Sequence, residues 1–366
     1  MIKKKIYYKF CKIYQFFANC GLYFLYARQF KRYIKMHQFA NKFIEGEDKY
    51  LEKWKQLSAK VEPFSYRFFS HYMGPCADIV PENIGRSFIE SKLNPVQMRG
   101  YYEDKNMFPF ICGKENVPHS IICRMNGGKL LDENLNQLNS SFANYLIGFD
   151  RLILKPSVGS SSGRGVMLFS LQDDGSFISS EGLVLSKEFL YEYNENFVLQ
   201  AAVKQHPDMS YFCSTSVNTI RLAVYRSWKD EQPHVLATIM RVGKNGAFVD
   251  NAHAGGMFVG IDVNSGEVGK KLFDQYGNSC DQWNGLDYSV KKYIPCWADV
   301  IKLAKDVSSK VKHHRLLALD LAIDINGKPI LIEYNLRGFS YWLFMFTNQK
   351  PLGDFTDEII DFCKKV

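Results

Sequence analysis

The stretch LLALDLAIDINGKPILIEYN (316–335) constrains this chain more than any other. Two apolar, strand-like runs flank Asn326-Gly327, the favoured centre of a two-residue hairpin turn. With that turn, residues whose numbers sum to 653 (326 plus 327) face each other. Asp320 then lies opposite Glu333, with Cβ atoms ~4.5–5.5 Å apart. Asn335, two residues on, shares their face, as do Ala322 and Leu331. Asp324 sits near the turn and is expected in solvent. Two facing carboxylates repel unless a cation lies between them. Asp, Glu and Asn are hard oxygen donors of the kind Mg²⁺ takes, with few protein ligands and substrate phosphates. The plainer alternative is an exposed acidic hairpin, and a one-residue bulge would break the pairing.

The rest of the body reads as short elements. Strands are expected at 151–155, 196–203, 217–226, 234–242 and 257–263, and helices at 131–146, 180–193, 297–313 and 355–365. Antiparallel strands with helices between them read as α+β. Four prolines punctuate residues 58–104.

Two further segments carry chemistry. In ILKPSVGSSSGRGV (153–166), a strand delivers Lys155 to a loop of Gly159, Ser160, Ser161, Ser162, Gly163 and Gly165. Such a loop can cradle phosphate oxygens with backbone N–H groups and hydroxyls. It lacks the Gly-Lys-Ser/Thr ending of a Walker A loop and the glycine spacing of a dinucleotide fingerprint. A flexible surface loop is the other reading. Arg221 and Arg241 sit within apolar strands, where a guanidinium needs an anion, either a structural carboxylate or a substrate. Asp250-Asn251 and Gly255-Gly256 form a polar segment able to close over a substrate.

Charge is unevenly spread. The first 42 residues carry eight lysines and two arginines of a net +8, so the remainder sums to −2. That excludes a basic nucleic-acid-binding face on the body. Residues 1–57 read as a helical arm rich in Lys, Phe and Tyr. Its uncharged stretch 13–27 is too short to span a bilayer. The arm either lies on an anionic membrane surface or packs on the body. Nine scattered cysteines without CxxC spacing read as free thiols in a reducing compartment, so a cytoplasmic location, at the inner face of the membrane, is expected.

Taken in order, DKNMF (104–108), LKPSVGSSSGRGV, VLQAAVKQHP, SVNTIRLAVYR, MRVGKNGAFVDNAHAGG and the hairpin ending IEYN resemble the ATP-grasp superfamily, and within it the sugar-transfer-associated ATP-grasp proteins of polysaccharide-biosynthesis clusters. The resemblance runs from about Lys105 to Asn335. It implies an α+β ATP-grasp fold whose two lobes, 105–215 and 216–366, grip ATP, preceded by a pre-grasp region at 58–104 and the arm at 1–57. It implies that Lys105 and Lys155 contact phosphates, with Lys155 also near the adenine. The loop with Ser160, Ser161, Ser162 and Gly163 would cover the β- and γ-phosphates, and Gln200 would line the adenine site. Arg221 would bind the γ-phosphate or acyl phosphate, and Asp320, Glu333 and Asn335 would hold one or two Mg²⁺. Arg241, Asp250, Asn251 and Arg337 would face the substrate. The His-Pro pair expected near 281–290 is absent.

The implied activity is an ATP-dependent carboxylate–amine ligase with an acyl-phosphate intermediate. The implied substrates are a sugar carboxylate, such as a uronic acid, and an amine. A small-molecule amino-acid or peptide ligase, and a nucleotide-binding scaffold for a membrane glycosyltransfer complex, are the alternatives. His206 or His253 is either a base for the amine or a structural histidine.

Overall fold

The computed structural model describes Gly21, His37 and residues 42–58, 60–159, 163–247, 250 and 255–365. The expectations for the arm before residue 42 therefore lie almost wholly outside the described residues. Among these, no helix is long and apolar enough to cross a membrane.

Two antiparallel sheets organise the body. The smaller comprises β1 Ser120–Arg124, β2 Leu131–Asp132, β3 Arg151–Pro156, β4 Met167–Leu171, β5 Phe177–Ser179 and β6 Phe197–Ala201, in the order β2-β1-β6-β3-β4-β5. The larger contains β7 Ile220–Arg226, β8 Pro233–Val242, β9 Met257–Ile261, β10 Glu267–Phe273 and β11 Ser279–Cys280. A two-strand ribbon, β12 Gln282–Trp283 with β13 Leu286–Asp287, follows, and β14 Lys292–Tyr293 returns to pair β10. The large sheet is completed by β15 Leu316–Ile323 and β16 Pro329–Asn335, giving the path β11-β10-β9-β8-β7-β15-β16.

Period-two alternation divides the large sheet into two faces. Leu222, Val224, Leu317, Leu319 and Leu321 point to one core, covered by the helix Trp297–Lys310. Ala223, Tyr225, Ala237, Ile239, Leu316 and Ala318 point to the other. Along three strands this second face changes from apolar to charged at one end: Ala223 gives way to Arg221, Ile239 to Arg241, and Ala318 to Asp320. The apolar end is covered by helices Glu47–Lys55, Phe64–Met73 and Tyr341–Phe346. The charged end stays uncovered and becomes the floor of a cleft. Tyr50 and Trp54 lie fully buried in that core, so the stretch from 47 onward, read with the arm, packs into the body. FSYWLFMF (339–346) is mainly core as well.

The helix expected over 131–146 does not form. Asp132 accepts hydrogen bonds from the backbone N–H of Asn134 and Asn136, both at 2.9 Å, and these local bonds replace a helical ladder. Only Phe142–Leu146 makes a short 3₁₀ turn. The helix expected over 180–193 shortens to Lys187–Tyr193, begun by Ser186, whose hydroxyl accepts from the N–H of Phe189.

The β15–β16 hairpin reaches the expected pairing by an unexpected route. Asp320 does face Glu333, Leu319 faces Tyr334 and Ala318 faces Asn335. Nearer the turn, however, Leu321 faces Leu331 and Ile323 faces Pro329, a register one residue shorter. The turn is wider than Asn326-Gly327 alone. Asp324 accepts from the N–H groups of Asn326 and Lys328, so it organises the turn rather than facing open solvent. A bulge at Ile332 then restores the register. Its extra residue sends Ile332 and Glu333 to the cleft and Leu331 to the opposite core, correcting the expectation that Leu331 shares the acids' face.

Candidate active site

A cleft of about 800 Å³ opens between the two sheets. From the small sheet, β3 supplies Ile153 and Lys155, and β6 supplies Gln200. From the large sheet come Arg221, Arg241, Glu333 and Asn335. Lys105 enters from a short 3₁₀ turn capped by Asp104, and its backbone N–H donates to Ser157 O at 3.1 Å, stitching this turn to the end of β3. Gly163, Asp250 and Arg337 also line the cleft. Ser160, Ser161, Ser162, Asn251 and His253 lie outside the described residues.

Asp320 sits beneath the floor at 0% exposure. Arg221, its direct neighbour on β7, donates Nε to Oδ1 at 2.8 Å and Nη2 to Oδ2 at 2.7 Å, a bidentate pair. Arg241 adds Nη2 at 3.1 Å. Burial would raise the Asp320 carboxyl, but the two guanidinium charges outweigh it and hold it below its usual range. Arg241 also donates Nε to Thr219 Oγ1 at 2.9 Å and lies 3.7 Å from Asp250. Burial raises the Asp250 carboxyl, opposed by Arg241. The cations that neutralise Asp320 are thus guanidinium groups.

Glu333 behaves differently. Its side chain is 32% exposed, and Oε2 lies 3.7 Å from Lys105 Nζ. Asn335 donates Nδ2 to Ala318 O at 3.4 Å, which leaves Oδ1 as its oxygen donor on the cleft side. These two oxygens fit Mg²⁺, which takes one or two protein carboxylates and fills its shell with water and phosphate. Both Asp320 oxygens already accept from arginine, so its fit as a ligand depends on sharing with guanidinium. Among the described residues, no group of three His, Cys, Asp or Glu side chains stands ready to hold a metal.

Lys155 is the most perturbed cation in the cleft. Burial, aided by the nearby Lys105 charge and opposed by Glu333, pulls its ammonium down to about 7. A buried lysine at the end of a strand is costly alone, and an incoming anion would restore its charge. His206 does not line the cleft. Its Nδ1 accepts from the N–H of Asp208 at 3.2 Å at the start of the Pro207–Ser210 turn, a structural position. The 279–293 region, where the His-Pro pair is missing, braces the segment after β8: Asn284 donates to Phe212 O and Gly243 O, at 3.0 and 2.9 Å.

Sequence reasoning missed Glu82 and Arg86, which line the same cleft as Ser340 and Trp342 of the aromatic stretch 339–346. Glu82 and Arg86 flank the start of a π-helix, Gly85–Ile89. Their i,i+4 spacing was the only local signal, and nothing local links Arg86 to Ser340.

A family model described as sugar-transfer associated ATP-grasp matches residues 86–359, about three quarters of the 366. No curated protein matches the sequence. Among solved structures, the chain is similar to a D-alanine–D-alanine ligase from Bacillus anthracis at 14% identity, covering 74% of this chain and 69% of that one with a TM-score of 0.39. It is also similar to the D-cycloserine synthetase DcsG at 11% identity, covering 75% and 73% with a TM-score of 0.40. The matched span holds every described residue that converges on the cleft except Glu82 and the aromatic wall before it, and the chain belongs to the sugar-transfer associated ATP-grasp family.

Proposed function

We propose that this chain is an ATP-dependent carboxylate–amine ligase, joining a sugar carboxylate such as a uronic acid to an amino acid or other amine in surface polysaccharide biosynthesis. One observation carries the reading: Lys105, Lys155, Arg221 and Arg241 converge with the oxygens of Glu333 and Asn335 in a single cleft between two sheets. Four cations and two hard oxygen donors suit a triphosphate. Residues 105–215 and 216–366 act as the two lobes.

On this reading Lys105 and Lys155 bind the phosphates, and Gln200 lines the adenine end. A substrate carboxylate oxygen attacks the γ-phosphorus and ADP leaves. An amine then attacks the acyl carbon, phosphate leaves and the amine gives up a proton. Arg221 and Arg241 hold negative charge as it develops on the transferring group. Mg²⁺, held by Glu333 and Asn335 and by Asp320 if a guanidinium yields an oxygen, would neutralise phosphate charge. The acyl phosphate must be kept from water, a task for the 159–165 loop and the 243–256 segment carrying Asp250 and Asn251. Arg337 faces the acceptor side.

ADP release should require both Mg²⁺ and a uronic acid, and hydroxylamine should trap the intermediate as a hydroxamate. Nucleotide binding without turnover on any pairing of uronates and amines would leave only a scaffold. We also propose that the basic arm holds the protein at the cytoplasmic face of an anionic membrane. The full chain should then co-sediment with phosphatidylserine vesicles at low salt and release at high salt; failure to bind at low salt discards this.

A further inference from the structure

The turn after β16 carries Arg337 into the cleft, at the same two-residue spacing as Glu333 and Asn335 before it. Arg337 is exposed, and its guanidinium makes no hydrogen bond or ion pair among the described residues. Arg221, by contrast, is committed to both Asp320 oxygens, and Arg241 to Asp320 and Thr219. A guanidinium fork waiting in a cleft suits a carboxylate, which it can bind through two parallel hydrogen bonds.

The backbone on either side of Arg337 is held by one short helix, Glu90–Leu93, and the residue that ends it, Asn94. Glu90 and Asn94 stand one helical turn apart, so they share a face. Both are buried, at 3% and 4% exposure. Asn94 donates Nδ2 to Leu336 O at 2.7 Å and to Leu316 O at 2.6 Å, and its Oδ1 accepts from the N–H groups of Arg315 and Leu316, both at 3.1 Å. It therefore ties the residue before Arg337 to the start of β15. On the other side, Glu90 accepts the N–H of Gly338 at Oε2, 2.7 Å away, and that of Phe339 at Oε1, 3.1 Å away. Gly338 and Ser340 are both left-handed, with φ of 76° and 62°. That conformation is costly for serine. It persists where surrounding structure imposes it, and such residues cluster at functional sites.

We propose that Glu90, working with Asn94, is a positioning residue for Arg337: the two buried side chains fix the 336–339 backbone so that the Arg337 guanidinium meets the substrate carboxylate beside Glu333 and Asn335. Glu90 itself touches no ligand. With its backbone fixed, the long arginine side chain has less freedom to lose on binding, so the grip is felt as substrate affinity. This rests on the ligase reading for the identity of the anion as a carboxylate, but not for the dependence of Arg337 on Glu90.

Calorimetry on the full chain with Mg²⁺ and a non-hydrolysable ATP analogue, titrated with D-glucuronate and D-galacturonate, tests this through a double-mutant cycle. Arg337→Ala should weaken the better-bound uronate by roughly tenfold, as charge-assisted hydrogen bonds are lost. Glu90→Gln keeps the size of the side chain but offers one acceptor in place of two, and should weaken the same uronate by about fivefold. Nucleotide-analogue affinity should be unchanged in both variants, which also shows that they fold. In the Arg337→Ala background, Glu90→Gln should have no further effect, because it acts only through Arg337. An equal loss in both backgrounds, or full uronate affinity in Glu90→Gln, overturns the positioning role. A loss of nucleotide affinity in Arg337→Ala, or a parent that binds nucleotide but neither uronate, overturns the carboxylate role of Arg337. Uronate binding that keeps the Glu90–Arg337 coupling without any nucleotide binding overturns the ligase reading and leaves the positioning role standing.

Discussion

Asp320 and Glu333 face each other on neighbouring strands, yet they should respond to neutralisation in opposite ways. In Asp320→Asn, two buried guanidinium groups lose their shared counterion. Arg221 is left with a neutral amide in place of a bidentate carboxylate, and Arg241 loses its contact to Asp320 while keeping Asp250 at 3.7 Å. Removing one partner of a buried ion pair costs about 3–5 kcal/mol. At roughly 2–4 °C per kcal/mol for a large domain, melting should fall by about 6–20 °C. In Glu333→Gln, the lost partner is Lys105 at 3.7 Å across a partly exposed site, worth roughly 0–1 kcal/mol. That variant should melt within about 4 °C of the parent but release no ADP from Mg²⁺-ATP. Differential scanning calorimetry and a coupled ADP assay read the two effects. An Asp320→Asn protein as stable as the parent would refute the arginine clamp. Full ADP release by Glu333→Gln would refute the metal and phosphate reading of the cleft.

Further outcomes follow from single environments. Folded Lys155 loses its proton from about 7, whereas an unfolded lysine keeps it to about 10.5, so between those values this residue makes the nucleotide-free protein more stable as pH rises. Nucleotide should reverse the shift, so calorimetry above pH 7 in buffers of different ionisation enthalpy should show proton uptake on ATP binding, absent in Lys155→Met. Burial lifts Glu90 to about 7, so its contribution is present below about 4.5 and is lost as pH rises toward 7; Glu90→Gln should reduce that slope in denaturant titrations. A Cβ on Gly85 would meet the Tyr341 ring at 2.5 Å, so Gly85→Ala should destabilise by about 1–3 kcal/mol, measured by urea unfolding, and Tyr341→Leu in the same chain should recover part of it.

The strands and the charged row were legible because period-two patterning is local: Arg221, Arg241 and Asp320 interrupt apolar runs at positions that fall on one face. The Asp320–Glu333 pairing was legible only in outcome, since a wider turn and a bulge offset each other by one residue each. No sequence rule reads such a compensation, and Leu331 was misassigned for that reason. The 131–146 helix failed because Asp132 bonds its own following backbone, a choice that helical periodicity does not weigh. Glu82 and Arg86 were invisible because their partners lie about 250 positions away, joined through Glu90 and Ser340 by packing alone.

The bulge at Ile332 has a further consequence. Beyond it the strand resumes its alternation, so Tyr334, between Glu333 and Asn335, turns into the same interior as Leu331 and stacks on Phe108. That one ring pins the spacing of the two oxygen donors from below. A relative could change the bite on a bound ion at this joint only by repacking the ring beneath it.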